Sequence, residues 1–255
     1  MTTQADPTRR FSNRVDDYIR CRPAYPPGVL DPLREECGLT PQSIIADIGS
    51  GTGLLARLFL ENGNFVYGVE PNEEMREAGQ RLLKEYPHFR SVAGSAEATT
   101  LPDTSVDLMA AGQAFHWFEP NAARAEFRRA LKSRGWVVLL WNERKKDANA
   151  FQRDYEKLLR EFGTDYEQVA ATYPTDVRVE KFFGGQGYGK RRLPNEQLFD
   201  FDGLRGRLLS SSYAPAKGHA KHEPMLADLR RIFDAHAEAG RVRVEYNTWV
   251  YYARL

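Results

Sequence analysis

The chain has 255 residues, of which 42% are hydrophobic and 28% charged, as is ordinary for a globular protein with one main core. Its formal net charge is +1, so no overall field favours nucleic acid or an anionic membrane as a partner. The polar first residues predict no secretory signal, and no apolar run approaches the about 18 residues of a membrane span, so we expect a cytoplasmic protein with its two cysteines reduced.

A helical arm is predicted ahead of the core. Aromatic and apolar residues recur at near-helical spacing between Phe11 and Arg22, and three prolines then break the pattern. A second helix is expected over residues 29–37, with Gly38 at its end. From the residues alone, the arm is expected to pack on a sheet.

Residues 44–70 predict a strand, a glycine turn, a helix and a second strand. Ile44–Ile48 is a short apolar run, typical of a strand that is buried on both faces of a parallel sheet. Glycines at 49, 51 and 53 follow it, then a helical apolar pattern that ends at Asn62-Gly63, and then the strand Phe65–Val69. This is one βαβ unit with Glu70 at the tip of its second strand.

The chemistry of this unit favours an adenosine compound. Glycines allow a ligand to approach the backbone closely, and the helix that follows presents unpaired N–H groups. Glu70 lies about 20 residues beyond the first glycine, where an acid can accept hydrogen bonds from ribose hydroxyls. Asp47 would repel a pyrophosphate but suits an ammonium group. Leu54 stands where a dinucleotide fingerprint has its third glycine, which argues against NAD.

The next elements continue the alternation of strands and helices. We predict a helix over 73–86, strands over 92–94 and 106–111, a helix over 121–132 that Gly135 ends, and a strand over 136–141. The fold class is therefore α/β, with a doubly wound parallel sheet.

Beyond residue 145 the pattern changes. Helices are expected over 151–162, 202–211 and 224–237, an irregular stretch over 163–187, and a solvated strand edge at the basic residues 190–193. Residues 241–252 alternate as a final strand. We predict an arm over residues 1–37, a ligand-binding core over 38–145, an inserted cap with a sixth strand over 146–215, and a C-terminal helix and strand over 216–255.

Several motifs together resemble one enzyme family. The turn after Asp47 and the Glu70-Pro71 pair are accompanied by Ser95-Ala96-Glu97, by Asp107-Leu108 and by the run from Gln113 to Phe118. The N-terminal run from Tyr18 to Pro26 matches as well. In these features the chain resembles the class I S-adenosylmethionine-dependent methyltransferases of type 11, which include trans-aconitate methyltransferase-like proteins. The resemblance covers about the first 145 residues well and the remainder more loosely.

The resemblance implies a seven-stranded, mostly parallel Rossmann-like sheet whose last strand is antiparallel. It also implies that the arm forms a lid over S-adenosyl-L-methionine, the expected cofactor, although packing on the sheet stays open. Met75 could line the adenine or belong to the core. The candidate cofactor-binding residues are Tyr18, Arg22, Asp47, Gly49, Ser50, Gly51, Gly53, Glu70, Pro71, Met75, Ser95, Ala96, Glu97, Gln113 and Ala114.

The candidate catalytic residue is His116, because an imidazole titrates near neutral pH and can act as a general base. A structural, hydrogen-bonded histidine is the alternative. The segment after the fourth strand lacks the N/D-P-P-Y/F/W tetrapeptide of enzymes that methylate nucleic-acid amino groups, so a small-molecule acceptor is expected. The trans-aconitate-like relatives suggest a carboxylate, which Arg20, Arg22 or Arg207 could anchor.

Two other functions remain open at this stage: a methyltransferase-like protein that binds the cofactor or a partner without turnover, and an NAD-dependent oxidoreductase. We expect no metal, because His219 and His222 lack a third ligand and Pro224 interrupts their helix. A monomer or a homodimer is expected.

Overall fold

The computed structural model describes residues 21–171, 173, 175–185 and 187–255. The strands are β1 (Ile44–Ile48), β2 (Phe65–Val69), β3 (Phe89–Val92), β4 (Val106–Gly112), β5 (Leu131–Arg144), β6 (Gly189–Phe199) and β7 (Val242–Ala253). The helices are α1 (Leu30–Cys37), α2 (Leu54–Glu61), α3 (Glu73–Leu82), α4 (Pro120–Ala130), α5 (Ala150–Phe162), α6 (Tyr166–Ala171), α7 (Asp176–Phe183), α8 (Phe201–Leu209) and α9 (His222–His236). None of these helices is long and apolar enough to span a membrane.

All seven strands form one sheet, in the order β3-β2-β1-β4-β5-β7-β6. The pairs from β3 to β5 are parallel, and β7 runs antiparallel to both β5 and β6. The strand order reverses between β1 and β4, and ligands of open α/β sheets bind outside the carboxyl ends of the strands at such a reversal. The predicted doubly wound, mostly parallel sheet of seven strands is confirmed.

The sheet separates two hydrophobic clusters, and a third lies beside β7. Phe59 of α2 belongs to the cluster on one face, and Phe127 of α4 to the cluster on the other. In the third cluster Leu158 of α5, Leu208 of α8 and Leu229 of α9 pack with β7. The predicted division into arm, core, cap and C-terminal element remains a proposal.

The third strand lies earlier than its sequence predicts. The apolar run 92–94 was expected to form it, whereas β3 is Phe89–Val92 and pairs with β2 from Val66 to Val69. This strand is at the edge of the sheet and is only partly buried, so its Arg90 and Ser91 interrupt the apolar pattern. The helix α3 also differs from its prediction, since it ends at Leu82, four residues before the predicted end.

The stretch 163–187 was predicted to be irregular, but it contains the short helices α6 and α7. Six and eight residues are too few to show a helical period. The ends of α7 do carry signals: the Thr175 hydroxyl accepts a hydrogen bond from the Arg178 N–H, and Gly184 ends the helix with φ 74°. The prediction that Gly135 ends α4 is also wrong, since it lies within β5.

Residues 21–24 are held by side chains of β5 and β6. The Asn142 side chain donates to the carbonyls of Pro23 and Ala24, and Asn195 donates to the Ala24 carbonyl at 2.9 Å. Thr248 in turn donates to the Asn142 amide oxygen at 2.5 Å. Asn142 therefore joins β5 and β7 to the chain that enters the core. The predicted arm before residue 21 lies outside the described residues.

Candidate functional site

The glycine turn between β1 and α2 is fixed by hydrogen bonds to the residues at the end of β2. The N–H groups of Gly49 and Ser50 both donate to the Val69 carbonyl, at 2.8 and 3.1 Å. The Gly51 N–H donates to the Glu70 carboxylate at 2.9 Å. These three amides are therefore used within the chain, whereas the unpaired N–H groups expected at the start of the following helix remain a prediction.

Glu70 is a buried carboxylate whose position is fixed by the backbone. Besides Gly51, the Asn72 N–H donates to it at 2.9 Å. Burial raises the pKa of Glu70, and these two hydrogen bonds oppose the rise. Each oxygen keeps a free lone pair, so the carboxylate can accept two further hydrogen bonds, as two neighbouring hydroxyls of a ribose would supply.

Asp47 is the second buried carboxylate, and its side chain is only 1% exposed. Neither of its oxygens completes a hydrogen bond with any described residue. Burial raises the pKa of Asp47 to about 7; the Ala56 N–H lowers it and the charge of Glu70 raises it further. A buried carboxylate without a partner is costly, so the site is suited to a cationic group of a ligand.

A cavity of about 340 Å³, the main cavity, opens at the carboxyl ends of β1 to β5. One half is formed by the glycine turn, by Glu70 and the start of α3, and by residues 95–97. The other half, with His116, is largely aromatic. It is lined by Arg22, Gly49, Gly51, Glu70, Pro71, Asn72, Met75, Ser95, Ala96, Glu97, Gly112, Gln113, Ala114, His116, Trp117, Phe118, Trp141, Val169, Tyr173, Ser212 and Tyr213.

His116 lies in the aromatic half of this main cavity. Its ring contacts Trp141 edge-on, with 5.1 Å between the ring centroids, and lies 4.5 Å from the Trp117 ring. The Tyr173 ring contacts both, with its centroid 5.0 Å from that of Trp141 and 6.4 Å from that of His116. Burial raises the pKa of Tyr173 to about 12, so its hydroxyl is neutral and can donate a hydrogen bond. This half can enclose an apolar or planar body and exclude water.

Most of the sequence-predicted site residues face this cavity together. Asp47 and Ser50 do not; they line an adjoining small chamber of about 40 Å³, which also contains Arg22, Thr52, Asn142 and Arg207. Gly53 lines neither space; its φ is 86°, and a Cβ atom there would meet Leu83 on the packing side of α2. Tyr18 and Arg20 lie outside the described residues.

Sequence reasoning missed several lining residues. Asn72 follows Glu70-Pro71 directly and caps α3, accepting a hydrogen bond from the Met75 N–H at 2.8 Å, which is a readable signal. Trp141 directly precedes the polar residues Asn142 and Glu143 near the end of β5, a position that the sequence also shows. Tyr173, Ser212 and Tyr213 come from the segments after β5, where no motif marks them.

The predicted absence of a metal site was based on His219 and His222. The His222 ring lies 2.8 Å from the Pro215 carbonyl, and His219 accepts the Lys221 N–H at 3.1 Å. Within the described ranges, no three His, Cys, Asp or Glu side chains come together as a metal ion requires.

Comparison with known proteins decides the family. Residues 46–139 match the family model of the methyltransferase domain. A methyltransferase-like protein of Schizosaccharomyces pombe is 33% identical over 236 residues, which is 91% of this chain and 88% of that protein. The chain belongs to the methyltransferase domain family. The prediction of an S-adenosylmethionine-dependent methyltransferase is thereby confirmed at the level of the family.

Other relatives of the methyltransferase match over shorter stretches. A second Schizosaccharomyces pombe methyltransferase is 37% identical over 137 residues, and one from Mycobacterium bovis is 34% identical over 142 residues. These matches cover 53% and 56% of this chain and the same shares of the two relatives. The chain therefore spans about half the length of these two.

Solved structures agree with the fold. A type II methyltransferase from Anaeromyxobacter dehalogenans superposes with a TM-score of 0.65 at 22% identity, over 91% of this chain and 97% of that one. A methyltransferase from Geobacter sulfurreducens, solved in complex with S-adenosyl-L-homocysteine, gives 0.54 at 14% identity, over 96% and 98% of the two chains. At these identities the likeness supports the fold and nothing finer.

Proposed function

We propose that this methyltransferase uses S-adenosyl-L-methionine to methylate a small-molecule acceptor that carries a carboxylate. The observation that carries the cofactor is the pair of buried acids, Asp47 and Glu70, on either side of the glycine turn. Asp47, whose oxygens complete no hydrogen bond with a described residue, suits the ammonium of the methionine end, and Glu70 suits the ribose. When bound, S-adenosylmethionine supplies a methyl group that is activated by its sulfonium.

The remaining cofactor contacts are proposed from the walls of the main cavity. Met75 and residues 95–97 lie beyond Glu70 and would enclose the adenine, with Glu97 held by the Glu119 N–H at 2.8 Å. Gln113 has φ 56°, a strained value for a side chain other than glycine, and its amide oxygen accepts the Asn142 N–H at 2.6 Å. This hydrogen bond would hold Gln113 and Ala114 beside the turn despite the strain.

The acceptor would occupy the aromatic half. Of the three arginines considered as anchors, Arg22 lines the main cavity, where it donates to the Ser210 carbonyl at 2.8 Å. The hydroxyls of Tyr173 and Ser212 lie on the same wall and can donate as well. A guanidinium beside neutral hydroxyls is suited to a carboxylate.

This proposal gives His116 a contact with the acceptor and no obligatory proton transfer. A carboxylate is already ionised near neutral pH, so the chain has only to hold it and to exclude water. A hydroxyl or ammonium acceptor would need a base, and His116 is the residue placed to act as one. We expect His116→Ala to retain cofactor binding and to raise the acceptor KM without changing the pH profile of kcat.

The test is S-adenosylhomocysteine formation over a panel of small acids, each paired with its amide, together with phenols and amines. The proposal predicts turnover of an acid, none of its amide, and a raised acceptor KM in Arg22→Met. Arg205→Met, an exposed change on α8, is the matched control. Turnover of amines or phenols alone would contradict the carboxylate, and cofactor binding without any product would indicate a protein that does not turn over.

A further inference from the structure

The guanidinium of Arg207 is buried without an anionic partner among the described residues. Arg207 lies on α8 and is 9% exposed. It donates to the Tyr246 hydroxyl at 3.4 Å and to the Ser211 hydroxyl at 3.1 Å, and it forms no ion pair within the part of the chain that the structure describes. Two neutral hydroxyls offset only part of the cost of burying a cation, so an anion from outside the chain would be bound favourably here.

Arg207 shares its chamber with Asp47. The two side chains both line the small chamber of about 40 Å³, together with Gly49 and Ser50 of the glycine turn. Asp47 has a carboxylate that no described residue satisfies, and Arg207 has a cation that no described carboxylate neutralises. One buried charge of each sign on the wall of one chamber matches a zwitterion, the ammonium and carboxylate of an α-amino acid.

The size of the chamber indicates the end of a larger ligand. A cavity needs about 10–15 Å³ to hold one water molecule. The chamber of about 40 Å³ therefore has room for about three waters and not for a separate acceptor. Arg22, Gly49, Gly112 and Gln113 line both this chamber and the main cavity. A single ligand can therefore place an amino-acid end in the chamber and a ribose beside Glu70.

We propose that Arg207 binds the carboxylate of the methionine end of S-adenosylmethionine, opposite Asp47. This inference rests on the proposed function. Tyr246 positions the guanidinium: its hydroxyl donates to Gln197 at 2.9 Å, which leaves its oxygen lone pairs facing Arg207. Arg207 lies outside residues 46–139, so the cofactor site extends from the methyltransferase domain into the C-terminal segment.

The test is calorimetric titration of two ligands, S-adenosylmethionine and its decarboxylated form, which keeps the ammonium and lacks the carboxylate. Arg207→Met keeps the volume and removes the charge; Arg205→Met changes an exposed arginine on the same helix. We expect Arg207→Met to weaken S-adenosylmethionine about 10- to 100-fold and the decarboxylated ligand less than about threefold. Arg205→Met should bind both ligands as the wild type does.

Other outcomes would overturn the inference. If Arg207→Met binds S-adenosylmethionine normally but has a raised acceptor KM, Arg207 serves the acceptor. Equal loss of both ligands would indicate a general structural role. If Arg207→Met does not fold, Arg207→Lys replaces it as the variant. The wild type alone also tests the inference, because equal binding of both ligands by the wild type would exclude any carboxylate subsite. Wild-type protein that binds neither ligand would instead overturn the proposed function itself.

Discussion

Asp47 combines a stability problem with a binding function. Its carboxylate is buried at the end of β1, and this burial raises its pKa from 3.8 to about 7. A raised acid pKa means that the folded state favours the protonated form, so ionisation of Asp47 opposes folding. A ligand ammonium placed beside the carboxylate reverses this preference, because an opposite charge favours the ionised form.

We predict that Asp47→Asn stabilises the ligand-free protein above pH 7. The contribution of Asp47 to stability is most favourable below about pH 4, falls as the pH rises from there to about 7, and is then constant. The variant should therefore equal the wild type near pH 4 and exceed it at pH 8, by up to about 4 kcal/mol. Urea unfolding at the two pH values measures this difference. Asp103→Asn, which removes an exposed carboxylate, is the control.

The same residue gives a prediction for ligand binding. S-adenosylmethionine requires Asp47 to be ionised. Its affinity should therefore rise as the pH increases through about 7 and level off at higher pH. Asp47→Asn should bind about 10- to 100-fold more weakly at pH 8 and with a flatter pH profile. Calorimetry from pH 6 to pH 8 would check both effects. A wild-type affinity that does not change with pH would contradict the assignment of the ammonium to Asp47.

At the scale of the elements, Gly53 fixes how α2 leaves the turn. Its φ is 86°, and a Cβ atom there would lie 2.5 Å from the Leu83 Cδ1 atom. We predict that Gly53→Ala lowers the free energy of unfolding by about 1–3 kcal/mol. Gly185→Ala is a control for backbone strain alone, since its φ is 71° and a Cβ atom there would meet nothing within 4 Å. Equal losses in the two variants would show that contact with Leu83 is unimportant.

Asn142 joins β5 and β7 to the entering chain, which gives a second prediction at this scale. Asn142→Asp would place a carboxylate against the Pro23 and Ala24 carbonyls, which accept hydrogen bonds and cannot donate them. We expect a loss of about 2–4 kcal/mol in unfolding free energy. Asn149→Asp should be nearly neutral, because Asn149 caps α5 through its oxygen and aspartate caps as well. Similar losses at both positions would contradict a special role for Asn142.

The central elements were predictable because a buried parallel strand is a continuous apolar run. Ile44–Ile48 and Phe65–Val69 have the predicted bounds. The edge strand β3 was misplaced because partial exposure allows polar residues in it, and α6 and α7 were missed because they are short. Predictability therefore decreased from the centre of the sheet to its margins.

The candidate site divides in the same way. Asp47 lies at the end of β1, and Glu70 and Gln113 directly follow β2 and β4, so the strand pattern itself locates all three at the ligand edge. Tyr173 and Tyr213 reach the main cavity from the segments after β5, through tertiary packing that no local spacing encodes. Arg207 was predicted from the sequence as one of three possible anchors for an acceptor carboxylate. Only the structure shows that it shares a chamber with Asp47.

At the scale of the whole molecule, the two halves of the chain meet at one edge of the sheet. The first half supplies the glycine turn and the two buried acids. The second half supplies β7, which pairs with both β5 and β6, and the helix that carries Arg207. Residues 21–24 join these halves through Asn142 and Asn195. We therefore expect cofactor binding to require the C-terminal segment as well as residues 46–139.

The most direct measurement is calorimetric titration of the wild-type protein with S-adenosylmethionine, S-adenosylhomocysteine and NAD. The buried acids and the leucine at position 54 predict micromolar binding of the first two ligands and none of NAD. Binding of NAD alone would contradict the roles given to Asp47 and Leu54 and would favour an oxidoreductase. Binding of none of the three would contradict the assignment of this cavity to the cofactor.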